Sequence, residues 1–264
     1  MPGGIIAVVN NKGGVGKTTA TVNLAHALAN QDKRILVVDL DSQSNTTSIL
    51  MPDQSETMSL YDMYSDPETD ISYCIHPTKY TNVECLPNTN DTSALEPQLL
   101  QALPDSFQII RERVRPYAQE HYDYTIIDCP PNMGFFVVSA LYASNFVIVP
   151  VKSGSTFSLQ GLMKAIDLIN EIRENGNADL RFLRLLINQV DRRTYTTKVT
   201  ISNIRKFFSK DKVFESMIPT NAAFERAEAE ELTIIRYNPA SLGARSYRKL
   251  AAELLDIFEK NVMS

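Results

Sequence analysis

An apolar run, Ile5-Ile6-Ala7-Val8-Val9, breaks directly into Asn10-Asn11-Lys12-Gly13-Gly14-Val15-Gly16-Lys17-Thr18-Thr19, and five of the ten glycines of the chain fall within its first sixteen residues. A strand that enters glycines and then a helix-forming stretch, Ala20 to Asn30, predicts a loop whose backbone N–H groups are left free at a helix N-terminus. The helix macrodipole favours anions at that end. In such a loop Lys17 reaches the β- and γ-phosphates of a nucleotide, and the Thr18 hydroxyl can bind Mg²⁺. The spacing departs from G-x-x-x-x-G-K-[ST] at one place, because Asn11 stands at the first glycine position and a second lysine, Lys12, precedes the glycine pair. With Lys17 already in the space beside the γ-phosphate, Lys12 is expected to act on nucleotide held by a second subunit.

The length, 264 residues, fits one large α/β domain or two small ones. No Pro/Gly/Ser-rich spacer, low-complexity tract or internal repeat divides the chain, and 44% hydrophobic residues suffice for one core, so a single domain over 1–264 is expected. The first strand begins almost at once, so neither a secretory signal nor a preceding helix-turn-helix module is expected. No run approaches the roughly eighteen apolar residues of a membrane span. A cytoplasmic protein is expected. Cys74, Cys85 and Cys129 form an odd set without CxxC spacing, which argues against a disulfide framework and against a metal–sulfur site.

Strand signals alternate with helical ones along the chain. Arg34 to Asp39, Val83 to Leu86, Tyr124 to Asp128, Phe146 to Pro150 and Leu183 to Asn188 read as strands, and Phe107 to Gln119 as a helix. Near-continuous apolar strands separated by helices predict a mostly parallel, twisted sheet with helices on both faces. Ligands bind such sheets at the carboxyl ends of the strands. Asp39, Asp41 and Asp128 lie at or just past strand ends on that edge, so all three are expected to converge on the phosphates. Asp128 closes an apolar run in the manner of a Walker B aspartate, which holds Mg²⁺ directly or through water. Asp41 is a candidate to orient the attacking water.

With these residues assembled, the chain resembles the ParA/MinD family of deviant-Walker ATPases over nearly its whole length, and most of all the small Soj-like ParA members. Lys12 to Thr19 resembles the family's phosphate loop, Asp39 to Gln43 its second motif and Tyr124 to Pro131 its Walker B region. Ile218-Pro219-Thr220-Asn221 and Ser241 to Ala244 sit where the family has its adenine-side loop and the entry to its last helix. The resemblance implies a Mg²⁺-dependent hydrolase of ATP. Lys12 becomes the signature lysine that crosses a dimer. Gly13, Gly14, Val15, Gly16 and Lys17 bind the phosphates, Thr19 the α-phosphate, and Thr18 and Asp128 the metal. Asp41 joins both the catalytic groups and the metal's acids, and Asn188, Pro219 and Asn221 line the adenine. Ser42 and Ser44 stand where the family usually has proline and glycine, and Glu225-Arg226 is offset by one from the family's glutamate–alanine.

The chain as a whole is acidic, at net −5, yet residues 192–212 carry Arg192, Arg193, Lys198, Arg205, Lys206, Lys210 and Lys212, with Asp211 the only acid among them. Helical spacing puts Lys198, Ser202, Arg205 and Lys206 on one face, with Ile201, Ile204 and Phe208 toward the core. Such a face attracts phosphate backbones without reading sequence, and Arg236, Arg245, Arg248 and Lys249 are expected to extend it. By resemblance, the ATP-bound homodimer binds nonspecific DNA on the nucleoid, and a ParB-like or cargo adaptor stimulates hydrolysis. The alternative is a MinD-like membrane-associated ATPase. The last helix, Ala251 to Lys260, is amphipathic but acidic, so anionic lipid would repel it and no membrane partner is expected. A cluster-carrier reductase would need paired cysteines. A nonhydrolysing regulator would not need Lys12, Asp41 and Asp128 together. Residues 52–105, polar and rich in turns, are either a family-specific surface insertion or a partner surface.

Overall fold

The computed structural model describes residues 4–51, 53, 57–153 and 159–262. The strands are β1 (Gly4–Val8), β2 (Ile35–Asp39), β3 (His76–Pro77), β4 (Val83–Leu86), β5 (Tyr124–Asp128), β6 (Phe146–Lys152) and β7 (Arg181–Asn188). They form one sheet in the order β3-β4-β2-β5-β1-β6-β7. Every pairing is parallel except β3 with β4. The expected mostly parallel sheet with helices on both faces is what the chain forms. The antiparallel edge strand β3 carries no apolar signal, and it contains Pro77, which has no N–H to expose at an edge.

The helices are α1 (Lys17–Ala29), α2 (Asn45–Leu50), α3 (Leu60–Ser65), α4 (Glu96–Gln101), α5 (Ile109–His121), α6 (Phe135–Ala143), α7 (Leu159–Asn175), α8 (Tyr195–Phe207), α9 (Ala222–Ala229), α10 (Ile234–Tyr237) and α11 (Leu242–Val262). The strand alternation sorts them into two layers. Ile5, Ala7, Leu36, Val38, Ile127, Val147 and Val149 face a core closed by α3, α5, α6, α7 and α8. Ile6, Val8, Ile35, Val37, Ile126 and Ile148 face the opposite core, closed by α1, α10 and α11. Both faces of each central strand are therefore apolar, which is why the sequence shows runs rather than alternation. Each such Val, Leu or Ile side chain contributes about 1.5–3 kcal/mol by leaving water.

The helix expected over Phe107 to Gln119 starts at Ile109, because a 3-10 turn over Asp105–Gln108 takes up its first residues. The last strand starts at Arg181, two residues before the apolar run. Register then fixes the site: Val8 pairs with Asp128, and Asp128 with Asp39, so β1, β5 and β2 end level with one another.

Polar contacts tie α1 to the short α10. Asn23 Oδ1 accepts from the Ile234 N–H at 2.8 Å, and His26 Nδ1 lies 2.7 Å from Thr233 Oγ1. The His26 ring also packs on Tyr80, with centroids 4.4 Å apart. Burial, and then the positive charges of Arg248 and Arg236, push its pKa down from 6.5 to about 4. Below 6.5 the unfolded chain takes up a proton that the folded chain refuses, so stability is complete above that pH and falls as the pH drops toward 4. Urea titrations across this window should show a shallower acid loss in His26→Gln than in the parent. Parallel curves would remove His26 from the acid response.

Candidate active site

The loop between β1 and α1 opens on the level strand ends. Gly14 and Gly16 take φ of +69° and +86°, in the left-handed region where glycine carries no Cβ penalty. Gly16 is the N-cap of α1, with no side-chain cap and no acid in the first turn, so the helix presents its first N–H groups and its dipole without a protein partner. A Cβ built on Gly13 or Gly14 would meet nothing within 4 Å, which leaves space in front of the loop for a phosphate chain. Lys17 is 7% exposed, and its Nζ lies 3.5 Å from the Lys12 carbonyl, at the mouth of the loop. Burial lowers its pKa, and the charges of Asp128, Cys129 and Asp41 oppose the shift. The Lys12 side chain is exposed at the rim, and its N–H is held by Asn10 Oδ1 at 2.9 Å.

Asp128 is the polar centre of the site. Its Oδ2 accepts from the hydroxyls of Thr18 and Thr46, each at 2.7 Å, and its Oδ1 from Thr21 at 3.4 Å. The carboxyl is 1% exposed, and burial raises its pKa despite these hydrogen bonds. Asp39, fully buried one strand away, is raised by burial and by the charge of Asp128.

The expectation that all three acids converge on the phosphates needs one correction. Asp39 is sealed from them, because its carboxylate accepts from Thr47 N at 2.9 Å, Thr47 Oγ1 at 2.7 Å and Asp41 N at 3.1 Å. It shapes the loop that carries Asp41 instead. Asp41 is half-buried, with Oδ1 accepting from Gln43 N at 3.1 Å, and its charge acts on both Lys17 and Asp128. Ser44, where the resemblance expects glycine, keeps a glycine-like φ of 55°. A non-glycine residue there costs roughly 1–2 kcal/mol.

The donor set suits Mg²⁺: one carboxylate and one hydroxyl, both hard oxygens, beside a loop built for phosphates. Among the described residues no group of three or more His, Cys, Asp or Glu could hold a metal by itself. Cys74, Cys85 and Cys129 are free and buried.

Beside Gly16 lies a cavity of about 180 Å³ lined by Thr19, Asn188, Pro219, Asn221, Phe224 and Tyr247, among others. Both asparagines expected at the adenine lie on its wall, and both also work structurally. Asn221 Oδ1 caps α9 by accepting from Ala223 N at 2.9 Å. Asn188 Nδ2 donates to the Val15 carbonyl at 2.9 Å, while its buried Oδ1 has no partner. Sequence reasoning missed Thr21, Thr46, Thr47, Asn10 and Gln189. The one available signal was hydroxyls inside apolar helical stretches, as at Thr21 and Thr46.

The basic residues fall into two groups. On α8, Lys198, Arg205 and Lys206 are exposed, with Ile204 buried and Ile201 and Phe208 half-buried beneath, as the spacing predicts. Tyr195 and Phe207 flank them at 80% and 62% exposure. Arg192 is exposed nearby, but Arg193 is held in a two-pronged pair by Asp191, just outside the basic stretch, and Lys210 pairs with Glu215 at 3.0 Å. Arg245 and Arg248 do not extend this face. They lie on α11, which closes the other side of the sheet, and Arg248 donates to the Pro239 carbonyl at 2.7 Å.

A glycine loop at the strand ends of a parallel sheet, a buried lysine beside it and a threonine–aspartate pair beneath it define a P-loop nucleoside triphosphatase. The AAA domain family matches residues 3–182. The chain is 36% identical to the sporulation initiation inhibitor protein Soj of Bacillus subtilis, over 96% of this chain and 98% of that one. It is 34% identical to the chromosome partitioning protein ParA of Myxococcus xanthus, over 96% and 88% of the two chains. Among solved structures, cobyrinic acid a,c-diamide synthase of Mycobacterium smegmatis with bound ATP analog and magnesium superposes with a TM-score of 0.83 at 26% identity, covering 98% of this chain and 97% of that one. The cell division ATPase MinD of Pyrococcus furiosus shares the fold, with a TM-score of 0.77 at 24% identity over 97% and 99% of the chains. This chain belongs to the ParA/MinD family. It is a ParA-type ATPase whose cofactors are ATP and Mg²⁺.

Replacing Asp128 with Asn keeps an acceptor for Thr18 and Thr46 and removes the charge that opposes Asp39. Nucleotide-free Asp128→Asn should therefore melt about 3 °C higher, while Mg²⁺-dependent ATP turnover falls to background. A lower melting point would show that the charge stabilises the apo protein.

Proposed function

We propose that this ATPase forms an ATP-bound sandwich dimer, binds duplex DNA without sequence preference in that state, and positions cargo with a partner that stimulates hydrolysis. The chain acts as one folding unit in this reading. The observation that carries it is the α8 face, where Lys198, Arg205 and Lys206 stand exposed without a carboxylate partner among the described residues, on a chain of net charge −5. Its similarity to Soj and ParA, named as a sporulation inhibitor and a chromosome partitioning protein, supports the same reading.

Bound Mg²⁺ would draw charge off the phosphates as the terminal bond breaks. Thr18 and Asp128 hold that ion in this account, and the loop N–H groups with Lys17 bind the phosphates. Thr19 supports the α-phosphate. Asp41, poised at the loop mouth, orients the attacking water, and exposed Lys12 reaches the nucleotide of the second subunit. Asn188, Pro219 and Asn221 flank the base. Hydrolysis then weakens the dimer and with it the DNA contact, since nucleotide state and DNA affinity are coupled in both directions. The protein works on the nucleoid in the cytoplasm.

Random-sequence duplex DNA should bind with ATP and not with ADP, and affinity should fall with salt at a log–log slope of about −0.9 per phosphate neutralised. The Arg205→Glu, Lys206→Glu double variant should flatten that slope by about two and leave ATP binding intact. Unchanged DNA affinity would move the surface elsewhere, and a parent that binds DNA in no nucleotide state would end the DNA reading. Asp41→Ala should keep ATP-dependent DNA binding and lose at least tenfold in turnover, within the usual range for a water-positioning group. Equal turnover would remove Asp41 from the mechanism.

A further inference from the structure

A hydrogen-bonded chain leaves the glycine loop on the side away from the phosphate space and ends inside α8. Gln189 Nε2 donates to the Gly14 carbonyl at 2.9 Å. The Gln189 carbonyl in turn accepts from Ser153 Oγ at 2.7 Å. That hydroxyl lies 3.2 Å from Thr197 Oγ1, which accepts from Thr194 Oγ1, at the N-cap of α8, at 2.9 Å. Ser153 N also donates to the Asn188 carbonyl at 3.0 Å. Ser153 and Thr197 are 0% and 1% exposed, so water cannot substitute for either partner.

The direction of the chain follows from counting protons. Ser153 spends its one O–H on the Gln189 carbonyl, so Thr197 must donate to Ser153, while the Thr194 hydroxyl is shared between Thr197 Oγ1 at 2.9 Å and the Asp191 carbonyl at 3.1 Å. From Thr197 inward every donor points back toward the glycine loop, and a shift of the Gln189 peptide reaches the first turn of α8 through the buried hydroxyls of Ser153 and Thr197. Gln189 has φ of 55°, a left-handed setting that a non-glycine residue keeps only while its surroundings hold it. For a non-glycine residue the left-handed well is separate from the extended and helical ones, so release of its contacts favours a jump of the peptide over a gradual drift.

We propose that the Gly14–Gln189–Ser153–Thr197 chain couples nucleotide in the glycine loop to the setting of the basic helix α8, with Gln189 and Ser153 as positioning residues. The inference deepens the proposed function and rests only on its nucleotide-binding half. Phosphates drawing the loop N–H groups forward move the Gly14 carbonyl, Gln189 follows, and the N-cap of α8 is reset.

Amide hydrogen exchange over 195–200 tests this on the full chain, with and without a nonhydrolysable ATP analogue at saturating concentration. The parent and Thr197→Ser, which keeps the hydroxyl, should both change exchange at these amides by at least about fivefold on binding. Thr197→Val and Ser153→Ala should bind the analogue and lose that change, with exchange elsewhere in the sheet as in the parent. A parent without the response, or a Thr197→Val protein that retains it, overturns the coupling. A parent that shows the response and binds no DNA in any state leaves the coupling standing and ends only the DNA reading.

Discussion

One buried carboxylate organises the catalytic edge. Asp128 is fixed by register beside Asp39 on the neighbouring strand, and both are desolvated. Two carboxyls so placed raise each other's cost of ionisation. The cost is contained by hydroxyls from helices on two different crossovers, Thr18 and Thr21 on α1 and Thr46 on α2, while Thr47 and the Asp41 peptide serve Asp39. Removing any one partner leaves a buried acceptor short of a donor, at about 1–3 kcal/mol. At this edge the two helices are therefore docked by polar contacts in addition to the apolar packing of Leu24, Leu28, Ile49 and Leu50. Hydroxyl–carboxylate pairs of this kind can open and take a cation, which a hydrocarbon contact cannot do.

The second constraint is that the glycine loop is held from behind. Asn188 and Gln189, adjacent at the end of β7, grip the carbonyls of Val15 and Gly14, and Asn10 holds the Lys12 N–H while donating to the Pro150 carbonyl at 2.7 Å. With these carbonyls engaged on one side, the N–H groups of the same peptides are left to the other. Left-handed residues gather on this edge at Gly14, Gly16, Ser44 and Gln189. Strain at Ser44 and Gln189, which lack glycine's freedom, sits beside the acid loop and behind the phosphate loop, where over-determined contacts sustain it.

Most of this architecture was legible in the sequence, because parallel strands buried on both faces read as apolar runs, and glycine before Lys17 marks the loop whatever surrounds it. The two strands that bound the phosphate loop and Asp128 lie where those runs predict. What could not be read was side-chain company. Asp39 and Asp41 look alike in sequence, two residues apart, yet Asp39 is the last residue of β2 and stays in the core, while Asp41 lies in the turn beyond the strand end, half-buried at the mouth. The same limit hid Asp191 as the partner of Arg193 and set Arg245 and Arg248 on the far side of the sheet, since counting charges along the chain ignores which layer a helix joins. Thr47, Ser153 and Gln189 carry no periodic or motif signal, and only the fold brings them to the site.

The charge layout shows how an acidic chain can approach a polyanion. At physiological salt the screening length is about 8 Å, so a nucleic-acid backbone responds to the charges facing it and not to the net charge of −5. On α8 the nearest acids are spent: Asp191 is held on Arg193, its carboxyl pulled down to about 2 by that guanidinium, and Glu215 on Lys210. Lys198, Arg205 and Lys206 then project without local competition from the exposed face of a helix whose other side is anchored by Ile204. The electrostatics that would hold DNA thus sit on an element whose first turn is hydrogen-bonded, through Thr197 and Ser153, to the residue that grips the glycine loop. In the proposed reading, a basic patch with no link to the glycine loop would answer to nucleotide through dimerisation alone, and placement on α8 would give ATP a second, direct hold on a bond to DNA.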